Sequence, residues 1–284
     1  MKEELKKSIQ NPDYLCLAGS RLYGTFIETS DRDFRGFVLP SFEYLISVKK
    51  FEYADLGGDH KIYSLRRFLE LILYSDPLLT ECLFAPQDKI VRITEVGKEI
   101  LNLRSDLISN RIYNRILGYS CSEWRKAMGL KYIIDKRTRT ENETINDIRN
   151  IFKLEKEDMD DVLGILLKNK ERKLILSVPS FGAKRKKEYD DYGFCVSSAS
   201  HSIRLIGELE ELLLTGNITF PRPNADILKS IRYGKYKKEE VNKIYEETRI
   251  KAKEARKNSV LSSTPNFKKV WSVYKEIVKK FIRE

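Results

Sequence analysis

Two stretches decide the fold of this chain: residues 17–25, LAGSRLYGT, and residues 29–39, TSDRDFRGFVL. In the first, an apolar segment runs into Gly19-Ser20, which we expect to open a helix. A glycine at that point lets the backbone approach a phosphate closely, and the N–H groups of a helix start favour anions. The first stretch therefore predicts a phosphate-binding turn between a strand and a helix.

The second stretch places two carboxylates at the entrance to an apolar strand. Side chains at positions i and i+2 of a strand share one face, so we expect Asp31 and Asp33 to point the same way. Two neighbouring carboxylates repel one another unless a cation lies between them, and Mg²⁺ accepts carboxylate oxygens as ligands. An Asp-x-Asp pair alone is more typical of a solvated turn. Here a metal-binding role is better supported, because the pair follows Gly19-Ser20 after ten intervening residues.

The first 95 or so residues are predicted to be mixed α/β. The strands are indicated by short apolar runs bounded by Gly, Pro, Asn and Asp. Ser64 caps a helix whose apolar residues recur at helical spacing, and Pro77 opens another. Before these two helices, the sequence predicts a helix over 2–9 and strands over 14–17, 34–39, 48–53 and 60–63.

From residue 94 onward the pattern turns helical. Apolar residues recur every three to four positions, most clearly over 197–215, where Gly216 marks the end of the helix. Two polar stretches, 135–144 and 182–191, are predicted to be loops. The predicted helices are 96–103, 114–128, 146–154, 158–168, 197–215, 238–257 and 267–282.

These elements predict an α+β protein with two domains. We expect the first domain, residues 1–95, to contain a mixed sheet with flanking helices. The second, residues 96–284, is expected to be helical and to carry an insert at about 135–191.

The positive charge of the chain is concentrated near its C-terminus. The 284 residues carry a formal charge of +11, and residues 229–284 hold 17 Lys and Arg against 7 Asp and Glu. A basic region of this kind is typical of contact with a polyanion such as RNA. A solvated helical surface is the alternative interpretation.

The composition excludes several classes of protein. No apolar run approaches the roughly 20 residues that cross a bilayer, and no apolar stretch follows the charged start as it does in a secretory signal. The four cysteines are widely spaced and include no Cys-x-x-Cys pair, which argues against a disulfide scaffold and against a zinc site built from Cys and His. We therefore expect a soluble cytoplasmic protein without membrane contact.

Residues 19–24, GSRLYG, and 30–36, SDRDFRG, resemble the nucleotidyltransferase signature of the DNA polymerase beta superfamily. More narrowly, the chain is similar to the RNA-ligase-associated nucleotidyltransferases, the RlaP-like and YcgL-like groups, over about residues 14–88. The resemblance implies that the mixed sheet is a polymerase beta-like palm. It also implies transfer of a nucleotide from a nucleoside triphosphate (NTP) such as ATP to an acceptor hydroxyl, with release of pyrophosphate and with two Mg²⁺ or Mn²⁺ ions.

The same resemblance implies three catalytic carboxylates that bind the metal ions. Asp31 and Asp33 supply two of them. Asp59, which precedes the predicted strand 60–63, is the best match for the third. Asp55 is a weaker competitor, and the structural alternative for Asp59 is a residue of a Gly-Gly-Asp turn.

The resemblance also assigns nucleotide contacts, first among them the Gly-Ser turn for the triphosphate. His201 and Arg204 lie three positions apart on a predicted helix and share a face, where they either bind phosphate or pack at a domain interface. Glu81 stands where relatives carry a glutamate near the site, and its alternative place is a helix surface. The expected nucleotide contacts are Gly19, Ser20, Arg21, Arg35, Arg67, His201 and Arg204.

Three functions follow from these observations. The first is transfer of a nucleotide to an RNA 3′ end, tRNA-like in kind, which is favoured by the basic C-terminal region and by the family's association with RNA ligases. The second keeps the chemistry but uses a protein or a small molecule as the acceptor, as in AMP transfer. The third is a catalytically silent RNA-binding protein, against which the intact Asp31, Asp33 and Asp59 argue.

Overall fold

In the computed structural model, the two quoted stretches lie at the centre of a five-stranded mixed sheet. The structure describes residues 3–28, 30–46, 50–129, 132–135, 173–176 and 183–283. The N-terminal elements are α1 (Glu3–Gln10), β1 (Tyr14–Ala18), α2 (Gly19–Tyr23), β2 (Asp33–Val38), α3 (Phe42–Ile46), β3 (Tyr53–Asp55), β4 (His60–Ser64), α4 (Leu65–Leu73), α5 (Pro77–Cys82), β5 (Ile90–Ile93), α6 (Glu95–Leu101) and α7 (Arg104–Leu107). After them come α8 (Ile112–Met128), β6 (Tyr132–Asp135), β7 (Lys173–Leu176), α9 (Ala183–Tyr192), α10 (Val196–Thr215), α11 (Ala225–Arg232), α12 (Lys238–Lys257) and α13 (Phe267–Arg283).

The chain divides into two compact units. The sheet unit comprises Met1–Ile112, Glu211–Asp226 and Arg256–Glu284. The helical unit comprises Tyr113–Glu210 and Ile227–Ala255. The division into functional domains at residue 95 stays a prediction.

The strands of the sheet are ordered β3-β4-β2-β1-β5. β1 and β2 are antiparallel with Ala18 opposite Asp33, and β2 and β4 are parallel with Phe34 opposite His60. Alternate residues of β1 and the last four residues of β2 are buried, as expected for central strands that are covered by helices. This register places the C-terminal end of β1 beside the N-terminal ends of β2 and β4.

Helices α4 and α5 pack against the sheet. Ser64 is the N-cap of α4, and its hydroxyl accepts a hydrogen bond from the N–H of Arg67 at 3.2 Å. Pro77 is the first residue of α5, where its missing N–H costs nothing. Phe68 of α4 lies on Phe37 of β2 with ring centroids 4.6 Å apart. The helix starts predicted at Ser64 and Pro77 are therefore confirmed.

The helical unit contains packed residues of α8, α10 and α12. The rings of Trp124 and Tyr245 stack with centroids 3.8 Å apart, which joins α8 to α12. The hydroxyls of Ser120 and Ser202 each donate to the other residue's carbonyl oxygen, at 3.0 and 2.9 Å, which joins α8 to α10. No helix among the described residues of the chain combines the length and the apolar character needed to cross a membrane.

The structure confirms the predicted α+β fold and corrects the predicted strands in two places. Of the strand predicted over 48–53 the structure describes residues 50–53, of which only Tyr53 belongs to the observed strand β3; an unpredicted helix, α3, precedes it. β3 begins at Tyr53, which lies opposite Tyr63, and the N–H of Ser64, the last residue of β4, donates to the carbonyl oxygen of Glu52 at 2.8 Å. The second correction is β5, a short strand that was not predicted and that pairs with β1.

Residues 182–191, predicted to be a loop, instead form α9 from residue 183. The charged residues show no apolar periodicity, which led to the prediction of a loop. Lys, Arg and Glu are nevertheless good helix formers, so the helix can form without it. The helix is fixed at Tyr189, whose ring lies so close to Gly129 that a Cβ there would be 2.9 Å away. Asp135, predicted to begin a loop, ends β6, which pairs with β7. The predicted segments outside the described residues are the helices 146–154 and 158–168 and residues 136–144 of the predicted loop.

Gly36 in β2 is a position where even one added methyl group has no room. A Cβ there would overlap the carbonyl oxygen of Tyr14 on β1, and neither backbone can move without breaking the pairing of the two strands. We expect Gly36→Ala to lower the free energy of unfolding by about 1–3 kcal/mol, measured by urea denaturation. Gly118→Ala in α8 is the control, because no atom beyond the helix lies within 4 Å of its Cβ. Equal denaturation midpoints for the two variants would contradict this account of β2.

Candidate active site

The centre of the candidate site is the contact between Gly19 and Asp33. β1 ends at Ala18, directly opposite Asp33, and Gly19 then opens α2 with a φ of +63°. A Cβ at Gly19 would overlap the carboxylate of Asp33. Both the positive φ and this close approach require glycine. The expected helix start at Gly19-Ser20 is confirmed, with a carboxylate against its first residue.

Arg21 shapes the loop that carries Asp31. Its Nε donates to the carbonyl oxygen of Asp31 at 3.3 Å, and its Nη2 donates to that of Ser30 at 3.1 Å. The guanidinium also lies over the ring of Phe26, 5.1 Å from the centroid. The exposed Asp31 precedes β2, which begins at Asp33. Arg21 therefore positions main-chain atoms of this loop, and its predicted contact with phosphate stays a prediction.

Asp59 is placed beside Asp33 by the parallel register of β2 and β4. Asp33 and Asp59 are the residues before Phe34 and His60, which are paired across the two strands. Asp59 has a φ of +56°, in the turn that leads into β4. A positive φ is uncommon outside glycine, and Asp is one of the residue types that tolerate it. Asp59 is therefore a residue of the Gly-Gly-Asp turn, as the structural alternative held, and its carboxylate also lies beside Asp33.

Two cations hold the carboxylate of Asp59. Arg35 Nη2 lies 2.6 Å from Asp59 Oδ2, and Lys61 Nζ lies 3.3 Å from Oδ1. The Arg35 side chain is only 6% exposed whereas that of Asp59 is 43% exposed, so a buried cation anchors an accessible anion. Lys61 was not predicted, although it lies only two residues after Asp59 in the sequence.

The electrostatics of Asp33 reflect the crowding of negative charge. Burial raises the pKa of Asp33, the nearby carboxylates of Asp59 and Asp31 raise it further, and the cations Arg35 and Arg21 oppose them. A carboxyl group in this environment gains from a nearby cation, which would favour its ionised form. The three acidic side chains therefore act on one another electrostatically.

The donor set fits a divalent cation, with one qualification from the geometry. Asp31 and Asp33 supply the oxygen ligands that Mg²⁺ and Mn²⁺ prefer. Among the residues that the structure describes, no three acidic, His or Cys side chains are close enough to form a complete metal site. The carboxylate of Asp59 instead forms ion pairs with Arg35 and Lys61. To bind a metal ion it would have to leave these two cations.

A buried hydrogen bond joins the end of α2 to α5. The Tyr23 hydroxyl donates to the carboxylate of Glu81, which is buried on α5 and does not lie on a helix surface. The N–H of Arg222 donates to the carbonyl oxygen of Tyr23 at 2.9 Å. This role of Tyr23 was not predicted, although Tyr23 belongs to the GSRLYG stretch. Glu81 thus orients the helix that begins at Gly19.

Arg67 lies away from the three carboxylates. It follows the last residue of β4, whereas Asp59 precedes the first, so the strand separates them. Its guanidinium instead pairs with Glu52 and Glu70, each at 3.7 Å. The structure therefore places Arg67 at the opposite end of β4, in different surroundings from the predicted triphosphate.

His201 and Arg204 belong to the helical unit, where they contact each other. Arg204 Nη1 lies 2.6 Å from the carboxylate of Glu208, and both side chains are buried. Arg204 Nη2 lies 3.3 Å from His201 Nδ1, and the His201 ring meets Tyr119 edge-on. Burial, followed by the charge of Arg204, lowers the pKa of His201. The predicted shared face is confirmed, and nucleotide contact by the pair stays a prediction.

Comparison with known proteins gives one family. Residues 5–176, more than half of the chain, match the RlaP family model, which describes the RNA repair pathway DNA polymerase beta family. No curated protein and no solved structure matches the chain. The matched residues include the Gly-Ser turn, the Asp-x-Asp pair and Asp59. The chain therefore belongs to the RNA repair pathway DNA polymerase beta family and is a nucleotidyltransferase.

Proposed function

We propose that this nucleotidyltransferase is metal-dependent and moves a nucleoside monophosphate from an NTP to the 3′ hydroxyl of an RNA. The hydroxyl oxygen would bond to the α-phosphorus as the bond to pyrophosphate breaks. The observation that carries the proposal is the carboxylate of Asp33 against the Gly19 backbone, with Asp59 before the neighbouring parallel strand. A turn suited to phosphate thereby adjoins carboxylates suited to a divalent cation.

The residues of the site divide the work of this reaction. The backbone at Gly19 and Ser20 would bind the phosphates of the NTP. Asp31 and Asp33 would hold both metal ions, and Asp59 would hold the one beside the acceptor hydroxyl and favour loss of its proton. Two bound Mg²⁺ or Mn²⁺ ions would polarise the α-phosphoryl group and offset the charge of the leaving pyrophosphate. Catalysis would come from positioning and charge neutralisation.

RNA as the acceptor is supported by the basic C-terminal region and by the RNA repair description of the family. In α13 the side chains of Val270 and Ile277 are buried, whereas Lys268 and Lys275 are exposed and available to phosphates. We place the enzyme in the cytoplasm, because its four cysteines are all unpaired, as is usual in a reducing compartment.

Asp59 and Asp55 form a matched pair for testing the third carboxylate. With an α-labelled NTP, Mg²⁺ and total RNA, we expect label on RNA from the wild-type protein. Asp59→Asn should lower the rate at least ~100-fold, the loss typical of removing one electrostatic contact to the transition state. Asp55→Asn should retain activity, because the Asp55 side chain is exposed at the end of β3 and accepts the N–H of Gly57 at 3.0 Å, which an Asn oxygen can also do. Circular dichroism checks that both variants fold.

The remaining outcomes of this assay are equally informative. Asp31→Asn combined with Asp33→Asn, or removal of metal with EDTA, should abolish the transfer. Label on a polypeptide or a small molecule would contradict RNA as the acceptor. RNA binding without transfer, over several metals and all NTPs, would contradict catalysis. Loss of activity in Asp55→Asn but not in Asp59→Asn would contradict the assignment of the third carboxylate.

The raised pKa of Asp33 predicts a pH-dependent gain in stability for Asp33→Asn without metal. Because folding raises this pKa, the stabilising effect of the proton is complete below the ordinary value of 3.8 and is lost as the pH rises through the folded value. At pH 7 the ionised Asp33 is therefore unfavourable, and Asp33→Asn should unfold at a higher temperature than the wild type. The difference should vanish near pH 3.

Calorimetry with and without Mg²⁺ checks this prediction. Mg²⁺ should raise the melting temperature of the wild type and leave that of Asp33→Asn unchanged. Asp88→Asn is the control, because a hydrogen bond from Lys89 lowers the pKa of Asp88 and its removal gives no gain. A melting temperature for Asp33→Asn below that of the wild type at pH 7 would refute the charge crowding.

The lysines of α13 predict a change in the salt dependence of RNA binding. Because α13 also supplies buried residues, substitution is a cleaner test than truncation. Lys268→Gln with Lys275→Gln should reduce the slope of log K against log salt by about 1.4, since each single-strand phosphate contact contributes about 0.7. Lys6→Gln with Lys7→Gln on α1 removes the same charge and should leave the slope as it is. If the two double variants show the same salt dependence, the lysines of α13 do not contact RNA and serve only as a solvated surface.

A further inference from the structure

A cavity of about 220 Å³ lies in the sheet unit at the far end of β4 from Asp59. Pro40, shortly after β2, and Ser64, at the end of β4, both line it, so it adjoins the C-terminal ends of the two parallel strands. The five residues of β4 extend about 17 Å, at roughly 3.3 Å per residue. The cavity is thus separate from the three carboxylates, none of which lines it.

Three half-buried aromatic side chains form the apolar wall of this cavity: Tyr44, Phe51 and Tyr274. Tyr44 and Phe51 also pack against the buried cluster around Ile62, which fixes their position. The ring of Tyr274 is half-buried, and this burial raises the pKa of its hydroxyl. The volume is below the roughly 300–1,000 Å³ of sites for drug-sized ligands and suits one planar base better than a whole NTP.

Three cations line the same cavity: Lys50, Arg66 and Arg67. Arg66 pairs with Glu70 at 2.9 Å, and Arg67 contacts both Glu52 and Glu70 at 3.7 Å. The two glutamates therefore orient the arginines but leave the lining with one excess positive charge. That charge is accessible at Lys50, which is exposed and forms no ion pair within the described part of the chain.

The cavity also adjoins the basic surface of α13. Tyr274 belongs to this helix, and its neighbour Lys275 is exposed, as is Lys279 one turn further on. A strand of RNA drawn to these lysines would pass the aromatic wall. Aromatic rings that stack bases beside cations that contact the backbone are the combination by which proteins hold single-stranded nucleic acid.

We propose that this cavity is a subsite for single-stranded RNA, which stacks one base against Tyr274 and contacts the adjoining phosphate through Lys50 and Arg67. The inference rests on the proposed RNA acceptor and deepens it. It locates the body of the acceptor strand at one end of β4 while its 3′ hydroxyl reacts at the other. It also gives Arg67 a phosphate contact, to RNA and not to the NTP.

The test is the affinity for a short, fluorescently labelled single-stranded RNA, measured by anisotropy without NTP. Tyr274→Leu should weaken binding roughly fivefold to a hundredfold, as expected when a stacking aromatic is lost. Lys50→Gln should reduce the salt slope by about 0.7. The matched controls are Tyr74→Leu, which removes an aromatic side chain that is 66% exposed outside the cavity, and Lys98→Gln on α6. Both controls should bind as the wild type does.

Separate outcomes decide the subsite and the reaction. Cavity variants that bind RNA like their controls, while the wild type transfers nucleotide to RNA, would overturn the subsite alone. Tyr274→Leu that weakens binding of a free NTP but not of RNA would also overturn it, in favour of a mononucleotide pocket. Cavity variants that weaken RNA binding would support the subsite even if no nucleotide transfer occurred, in which case the proposed reaction alone would fail.

Discussion

The close approach of the Asp33 carboxylate to the Gly19 backbone is the constraint on which the rest of the site depends. It requires antiparallel pairing that sets Ala18 opposite Asp33, and a residue without a Cβ that accepts a φ of +63°. The parallel pairing of β2 with β4 then brings Asp59 to the neighbouring strand end. The two pairings therefore place the Gly19 turn, which we propose binds phosphate, and two carboxylates at the same end of the paired strands.

The site concentrates negative charge, and the surrounding structure compensates for it. Burial raises the pKa of Asp33 and the carboxylates of Asp59 and Asp31 raise it further, so its ionised form is unfavourable in the absence of a cation. Arg35 offsets part of this charge from a buried position and anchors Asp59 at the same time. We expect a site so arranged to be less stable when empty and to regain this stability if a divalent cation binds, as we propose. Functional sites commonly retain such local conflict because the ligand relieves it.

The sequence predicts what depends on local pattern and fails where distant partners decide. The Gly19 turn, the cap at Ser64 and the long helices follow from residues close in the chain. The bounds of β3 do not, because they depend on pairing with β4, and α9 was missed because its charged residues show no apolar periodicity. The surroundings of Arg67 were also missed, although order along the chain already places Asp59 before the first residue of β4 and Arg67 after the last. The partner of Arg204, Glu208, lies four residues away but pairs in a buried setting that no motif indicates.

The most direct test of the central claim is a crystal structure of the protein with Mn²⁺ and a nonhydrolysable NTP, in which anomalous scattering locates the metal. We expect Mn²⁺ to be bound by Asp31 and Asp33, the triphosphate to lie at the Gly19 turn, and the Asp59 carboxylate to have left Arg35 for the metal. Mn²⁺ bound elsewhere, or a triphosphate remote from Gly19 with Asp59 still paired to Arg35, would contradict the account.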